Sequence, residues 1–391
     1  MHQRNFAVEL QETGKLTISQ PQSTERHPTF GSINNPTTLL GLHLNINILL
    51  REVFVVIRKS LKLVAVALTV FVCLQTVSVA QTKRTAKPAG PALMTLLPES
   101  DAVAQVKVNR LLSEVMPKVL ANNPAKLAEV NADIDKFKTR TGLDPRSFEQ
   151  IALGIRYTYP AEGVTKFVTA ALARGSFNAG AMVAAGRIAA NGKYREEKYH
   201  GKTIYVFTLD ESIRLFGLID LKIHELAAAP LDTNTLALGD ASSIRTVIDA
   251  SAGKGRANAE LISLATREPN AVIGFGGNLS PKLLANLDIG NAAITGDLSG
   301  LRQTYGSVDA NEKDVVLFIA ARAVNADSAK NLGDTLEGLK QFGALFVGRL
   351  TGPKGVLAKT ALTNLKIVTQ ANELQIRTAV AQADIGPLVG N

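Results

Sequence analysis

The sequence predicts an α+β protein made of two tandem ferredoxin-like halves, each with the order β-α-β-β-α-β and an antiparallel sheet packed against helices. Patterns typical of strands and helices alternate in this order twice along the chain, and short segments of one half resemble segments of the other. The composition agrees: the 391 residues are 46% hydrophobic and 20% charged, with a net charge of +9. These values exclude a disordered, collagen-like or multi-span membrane protein.

Residues 58–80 have the three parts of a signal peptide. A group of cations precedes the apolar run of residues 63–74, namely Arg58, Lys59 and Lys62. Small residues at positions 78 and 80 then predict cleavage after Ala80 and a periplasmic or secreted protein. The apolar run is shorter than the roughly 20 residues of a membrane span, so we expect no stable span after cleavage. An uncleaved membrane anchor is the alternative.

The N-terminal segment, residues 1–57, does not fit a signal peptide that begins the protein. It is polar, and no methionine lies between Met1 and Met94. We interpret residues 1–57 as an over-called N-terminal extension, with translation beginning near Val55–Ile57.

The only cysteine, Cys73, lies in the predicted signal peptide, so the processed chain is expected to be free of cysteine. This excludes a disulfide, a cysteine nucleophile, a thiolate metal site and an iron–sulfur cluster. We predict no cofactor and no metal site. A chain of this length can bury enough apolar surface to fold without disulfides.

The processed chain divides into a linker and two halves. Residues 81–95 are basic and rich in proline, alanine and glycine, which is typical of a flexible linker. The first half covers residues 96–255 and the second covers residues 256–391.

Period-two alternation predicts the strands of the first half, and capping residues predict its helices. The predicted strands are 102–108, 151–159, 166–174, a hairpin of Tyr194–Tyr199 and Thr203–Thr208 around His200-Gly201, and a second hairpin within 226–239. The predicted helices are one that Asn109 caps and that ends near Leu120, then 125–139, a short helix from Asp144-Pro145, 179–190 with Asn178 as its cap, and 242–251.

The same signals predict the elements of the second half. Its predicted strands are 270–278, 301–308, 314–323 and a C-terminal hairpin of 361–370 and 373–382. Its predicted helices are 281–287 and 327–346, the second capped by Asn325.

Two pairs of segments indicate an internal repeat. Residues 101–109 (DAVAQVKVN) resemble residues 270–278 (NAVIGFGGN), and residues 173–181 (ARGSFNAGA) resemble residues 320–329 (AARAVNADSA). The alternative is that both halves share only a general α+β pattern. Each predicted unit would leave one sheet face open, so two units could bury these faces against each other or line a cleft between them.

The opening Leu97-Pro98-Glu99-Ser100-Asp101, the leader and the small-residue helices resemble uncharacterised secreted bacterial proteins. The resemblance covers most of residues 96–391. It implies an exported location and no established activity.

Two stretches resemble known motifs and depart from them. The glycine-rich stretch 274–281 follows a strand, but Leu279 replaces the third glycine of a dinucleotide fingerprint. We interpret it as a bulged strand end followed by a Ser-Pro helix start. His224-Glu225 begins a zinc-protease motif whose second histidine is replaced by Ala228, so a surface or partly buried histidine is favoured.

The most distinctive candidate binding surface is the predicted hairpin 193–207, in which basic and aromatic side chains alternate. Such a surface can bind a polyanion or an acidic edge of a partner. Two glutamates in the same hairpin favour the alternative, a solvated hairpin with cross-strand ion pairs. The candidate ligand-binding residues are Tyr194, Arg195, Lys198, Tyr199, His200, Lys202 and Tyr205.

These observations predict an exported, non-catalytic binding or interaction protein of the cell envelope. The expected partner is an envelope protein or an anionic polymer, reached through the cleft between the halves or through the hairpin, and no nucleic acid is expected. A hydrolase that uses dispersed Asp and Glu residues is one alternative, and a buried pair of carboxylates would favour it. A small-molecule carrier is another, and a large apolar cleft would favour it.

Overall fold

The computed structural model of the protein describes residues 92–141, 144–215, 219–286 and 292–388. The predicted N-terminal extension, the signal peptide and most of the linker lie outside the described residues. All described residues belong to one unit of the chain, Phe54–Asn391.

Twelve strands form one sheet in which all neighbours are antiparallel. The strands are β1 (Ala102–Lys107), β2 (Phe148–Ala161), β3 (Val164–Gly175), β4 (Tyr194–Tyr199), β5 (Lys202–Leu215), β6 (Ile219–Asp232), β7 (Thr235–Gly239), β8 (Ile273–Asn278), β9 (Leu301–Ala310), β10 (Asp314–Ala323), β11 (Lys366–Gln370) and β12 (Glu373–Ala381). Their order across the sheet is β11-β12-β10-β9-β8-β1-β2-β3-β7-β6-β5-β4.

The helices of the described residues connect these strands. They are α1 (Val108–Arg110), α2 (Met116–Val119), α3 (Pro124–Thr141), α4 (Ala179–Ala189), α5 (Ala241–Ser251), α6 (Ala259–Ala265), α7 (Pro281–Ala285), α8 (Ala292–Ser299), α9 (Ala326–Val347), α10 (Gly352–Thr363) and α11 (Gln382–Ile385). A π-helical turn, Leu111–Val115, joins α1 to α2, and 3-10 turns occur at Leu93–Leu96, Pro145–Ser147 and Gly386–Leu388.

The α+β class and the antiparallel pairing agree with the sequence, but the strand order is not the ferredoxin-like order. In a split β-α-β unit another strand separates the two strands that a helix joins. Here β1 lies directly beside β2, with Val106 opposite Ile151. Two helical segments separate β1 from β2, and α7 and α8 separate β8 from β9. The first helix of such a pair runs away from the end of the strand, and the second runs back to it. The next strand therefore starts at the end of the sheet where the previous one finished, and it runs antiparallel to that strand.

The two halves lie side by side in one sheet, which corrects the prediction of facing sheets or a cleft between them. Strand β1 pairs with β8, with Val103 opposite Gly276. Each half continues outward as a three-stranded meander, β1-β2-β3 on one side and β8-β9-β10 on the other. Beyond the meander the later strands follow in reverse chain order, β7-β6-β5-β4 and β12-β11.

Most local predictions match the structure. The side chain of Asn178 accepts a hydrogen bond from the backbone of Ala181, and Asn325 accepts one from Ser328, so both cap helices as predicted. Asp144 caps a 3-10 turn in the same way.

Three local predictions are wrong. Asn109 is not a cap, because the helix already begins at Val108. Residues 361–363 belong to helix α10, which starts at Gly352 with Pro353 in its first turn, and strand β11 begins only at Lys366. Third, no helix was predicted over residues 259–265 or 292–299, where α6 and α8 lie.

Helices cover both faces of the sheet. The first 3-10 turn, α5 and α6 pack on one face, where they bury side chains such as Leu97, Leu172 and Ile244. On the other face, α4 packs on β6 and β7, and α9 packs on β10 and β12. In the described part of the chain, no helix combines the length and apolar character that a membrane crossing requires.

The glycine-rich stretch of β8 is a packing surface for α6. An ideal Cβ atom on Gly274 would lie 1.9 Å from the carbonyl oxygen of Ala265, and one on Gly276 would lie 2.9 Å from that of Leu261. Only glycine allows the helix backbone to approach the strand so closely. The strand keeps a regular register through Asn278, and Ser280 and Pro281 then start α7 as predicted.

Candidate functional site

The predicted Tyr/Lys hairpin is present as β4 and β5, and β4 is the last strand of the sheet. His200 and Gly201 form its two-residue turn, both with positive φ (44° and 75°). This conformation is that of a type I′ turn, whose twist matches paired strands. All seven candidate residues lie on this hairpin, but the alternation of side chains divides them between its two faces.

One face of the hairpin packs against α4 through Arg187. Its guanidinium lies over the ring of Tyr194 at 5.2 Å and over that of Tyr205 at 5.5 Å. It donates a hydrogen bond of 3.0 Å to the Tyr194 hydroxyl and forms an ion pair with Glu196 at 3.3 Å. The rings of the two tyrosines therefore already bind a cation that belongs to the protein, the guanidinium of Arg187.

The other face of the hairpin packs against α5 through two charged groups. Glu197 accepts two hydrogen bonds of 2.6 Å from Arg245. Asp249 accepts a hydrogen bond of 3.0 Å from the Tyr199 hydroxyl, which raises the pKa of Tyr199. The Nδ1 atom of His200 lies 3.0 Å from the same carboxylate, and the His200 ring stacks on Tyr199.

The remaining cations among the seven candidate residues also have partners within the protein. Arg195 pairs with Glu225 on β6, Lys198 donates to the hydroxyl of Thr203 at 2.6 Å, and Lys202 donates to a backbone carbonyl at 2.7 Å. A polyanion would have to compete with these bonds. The geometry thus favours the hairpin with its own ion pairs, and ligand binding by these residues stays a prediction.

The hairpin carboxylates predict acid sensitivity. Hydrogen bonds from Arg245 lower the pKa of Glu197, and those from Arg195 lower the pKa of Glu225. A carboxylate whose pKa is lowered by folding stabilises the protein above its unfolded pKa, and this stabilisation is lost as the pH falls through the folded pKa. We expect the melting temperature to decrease as the pH is lowered below about 4.5. The decrease should be smaller in Arg245→Gln.

Thermal unfolding followed by circular dichroism between pH 7 and pH 3 measures this difference. Lys198→Gln is the control, because its amine bonds to a hydroxyl rather than to a carboxylate. Parallel pH profiles for the wild type and both variants would show that the ion pairs contribute nothing.

A second polar cluster, which the sequence did not predict, surrounds Tyr305 on β9. This side chain is fully buried, and its hydroxyl donates a hydrogen bond of 2.7 Å to Glu373 on β12. Arg267 donates to the same hydroxyl and lies over the ring at 5.1 Å, while Arg322 lies over the ring at 5.5 Å. Arg322 also pairs with Glu373 and with Glu260 of α6, each at 3.1 Å.

The titration behaviour of this cluster indicates a structural role. Burial, together with the hydrogen bond to Glu373, raises the pKa of Tyr305 to about 12. Burial opposes ionisation of Glu373, but hydrogen bonds from Tyr305, Gln375 and Arg322 lower its pKa overall. At neutral pH the phenol is therefore protonated and the carboxylate is charged, so the cluster links α6, β9, β10 and β12 through complementary bonds.

A third feature is the loop end of the helical hairpin formed by α9 and α10. We call residues 339–359 the α9–α10 tip. Five of the ten large apolar side chains that are exposed in the described residues lie there: Leu339, Phe342, Leu345, Leu350 and Val356. Leu345 is the most exposed of the five, at 70%.

The charged side chains within the tip are all positive. Residues 338–372 contain five lysines and arginines and no aspartate or glutamate. Lys340 pairs with Glu337 in the preceding turn. The other cations of the tip, Arg349, Lys354 and Lys359, are exposed, and no described acidic side chain lies within ion-pair distance of them. The tip therefore combines exposed apolar groups with uncompensated positive charge.

A buried pair of carboxylates among the described residues would favour the hydrolase alternative. No Asp or Glu side chain is buried among them, and no group of three or more His, Cys, Asp or Glu side chains converges there. The side chain of His224 is not among those that the structure describes. Glu225, the other residue of that motif, forms an ion pair with Arg195.

No family model and no curated protein matches the chain. The solved structures to which it is similar include crystal forms III and I of TP0453, at 12% and 10% sequence identity and a TM-score of 0.42 each. They align over 78% and 77% of this chain and over 98% and 97% of their own. Crystal form IV of TP0453 has 11% identity, a TM-score of 0.39, and coverage of 76% and 96%. At these values the likeness carries no inference about the activity of this chain.

Proposed function

We propose that this chain is an exported, non-catalytic binding protein of the cell envelope, and that the α9–α10 tip is its contact surface. The signal-peptide pattern of residues 58–80 supports export. The observation that carries the binding role is the exposure of large apolar side chains at the tip beside unpaired cations.

The tip differs from the two polar clusters because its exposed cations have no acidic partner within the described part of the protein. The charged groups around the hairpin and around Tyr305 are bonded to each other. The apolar side chains of the tip face solvent instead. Burying the exposed part of a side chain such as Leu345 against a partner favours the complex by about 25 cal/mol for each Å² of apolar surface removed from water, before the costs of association. Several exposed large apolar side chains within one short segment are typical of an interaction surface.

Cell fractionation tests this function. We expect the wild-type chain to begin at Gln81 by mass spectrometry, to leave the cytoplasm, and to sediment with the envelope. Leu345→Glu should release most of it into the soluble periplasmic fraction, because the charge opposes burial of this position. The matched control is Ile188→Glu on α4, since Ile188 is 82% exposed but lies far along the chain from the tip.

Two results would contradict the proposal separately. Recovery of the intact chain, leader included, from the cytoplasm would contradict export. If the wild type is exported but is found in the soluble periplasmic fraction to the same extent as Leu345→Glu, the role of the tip is contradicted.

A further inference from the structure

We infer that the envelope component that the α9–α10 tip binds is the surface of an anionic lipid bilayer, with the loop end of the helical hairpin in the headgroup region. The inference rests on the proposed function and names the partner of the same surface.

Helix α9 is apolar on two sides. Leu332 and Leu336 pack with Leu374 against the sheet. Leu339 lies close to the same side of the helix, whereas Phe342 and Leu345 lie about 80° and 140° around the axis from Leu332. All three side chains are exposed. One side of the helix has its neighbour within the protein, and the other requires a second apolar environment.

The exposed apolar groups are concentrated where the two helices meet. Leu345 lies in the last turn of α9, Leu350 in the connecting loop and Val356 in the first turns of α10. A Cβ atom on Gly348 or Gly352 of this loop would meet nothing within 4 Å, so the loop faces open space. The apolar groups can therefore enter a bilayer surface without a change in the fold.

The charge of the tip selects an anionic partner. Lys and Arg side chains beside apolar groups can keep their charges among lipid headgroups while the apolar groups reach the acyl region. Each cation near such a surface strengthens binding about fivefold. A carboxylate in the tip would be repelled, and residues 338–372 contain none. A tip whose charges are all positive is complementary to the negative surface of an anionic bilayer.

Co-sedimentation with vesicles tests the inference, with the processed chain as isolated from cells. We expect binding to vesicles that contain half phosphatidylglycerol and half phosphatidylcholine, and much weaker binding to pure phosphatidylcholine. Leu345→Glu should weaken binding to the anionic vesicles about tenfold or more. The double variant Arg349→Gln/Lys354→Gln should lose most of the preference for phosphatidylglycerol, and added salt should have the same effect on the wild type.

The controls separate the tip from other surfaces and from misfolding. Ile188→Glu should bind as the wild type does, and so should Lys198→Gln of the hairpin. Every variant is first compared with the wild type by its melting temperature. If Leu345→Glu does not fold, Leu345→Ser replaces it in the vesicle assay. We expect this variant to weaken binding as well, but less than Leu345→Glu.

Three results would overturn the inference. The first is equal binding of the wild type to both vesicle types, or no binding to either. The second is loss of vesicle binding in Lys198→Gln with the tip variants unaffected. The third is binding to dextran sulfate, a soluble polyanion, that is as tight as binding to vesicles and insensitive to Leu345→Glu. A chain that sediments with the envelope in cells but binds no vesicle refutes the lipid partner and leaves the proposed function standing.

Discussion

Replacing Gly274 with alanine is expected to destabilise the protein by about 3 kcal/mol or more. The new methyl group would start 1.9 Å from the carbonyl oxygen of Ala265, which is backbone and cannot rotate away. Strand β8 is held on both sides by β1 and β9, so the strand cannot move without breaking its hydrogen bonds. Helix α6 would have to shift, and with it the buried side chains of Leu261 and Leu264.

Urea unfolding measures this effect. Gly296→Ala on α8 is the matched control, because a Cβ atom there meets nothing within 4 Å. Alanine is favoured over glycine in a helix by about 0.5–1 kcal/mol, so this control should be slightly stabilised. Equal midpoints for the two variants would show that α6 does not lie on β8 as closely as described.

Replacing Tyr305 with phenylalanine is expected to cost about 2 kcal/mol of stability. The ring and its edge contact with Phe318 remain, but Glu373 loses one hydrogen-bond donor and Arg267 loses its acceptor. The variant should also change the alkaline limb of the stability curve. Because folding raises the pKa of Tyr305 to about 12, its contribution is complete below its unfolded pKa and is lost as the pH rises towards the folded value.

Denaturant unfolding at pH 7 and pH 11 tests both statements. Tyr157→Phe is the control at pH 7, since its hydroxyl is not bonded to another described group, and it should change stability by less than about 0.5 kcal/mol. If Tyr305→Phe is as stable as Tyr157→Phe at pH 7, the hydroxyl of Tyr305 does not bridge Arg267 and Glu373.

The sequence predicts those features that depend on neighbours along the chain. The hairpin around His200-Gly201 and the helix caps at Asn178 and Asn325 are examples, because each follows from the preferences of a few adjacent residues. The strand order does not follow in this way. The two helices between β1 and β2 were predicted, but the strand order depends on contacts between residues far apart in the sequence, such as the pairing of β1 with β8.

The Tyr305 cluster and the α9–α10 tip were harder to predict for a related reason. The Tyr305 cluster joins Arg267 to Glu373, and no local spacing connects residues so far apart. The absence of acidic residues from 338–372 is visible in the sequence. The exposure of Phe342 and Leu345 is not, because the same apolar spacing would equally suit burial against the sheet. The pairing of Arg195 and Lys198 with other groups of the protein also became visible only in three dimensions.

The most direct test of the central claim is the environment of a single label at the tip. In the chain with Cys73→Ser, which removes the only cysteine, an environment-sensitive fluorophore is attached to Leu345→Cys or, as a control, to Ile188→Cys. On addition of phosphatidylglycerol vesicles we predict a blue shift and a gain in intensity for the label at 345, and no change for the label at 188. No change at 345, or equal changes at both positions, would contradict the assignment of the α9–α10 tip as the binding surface.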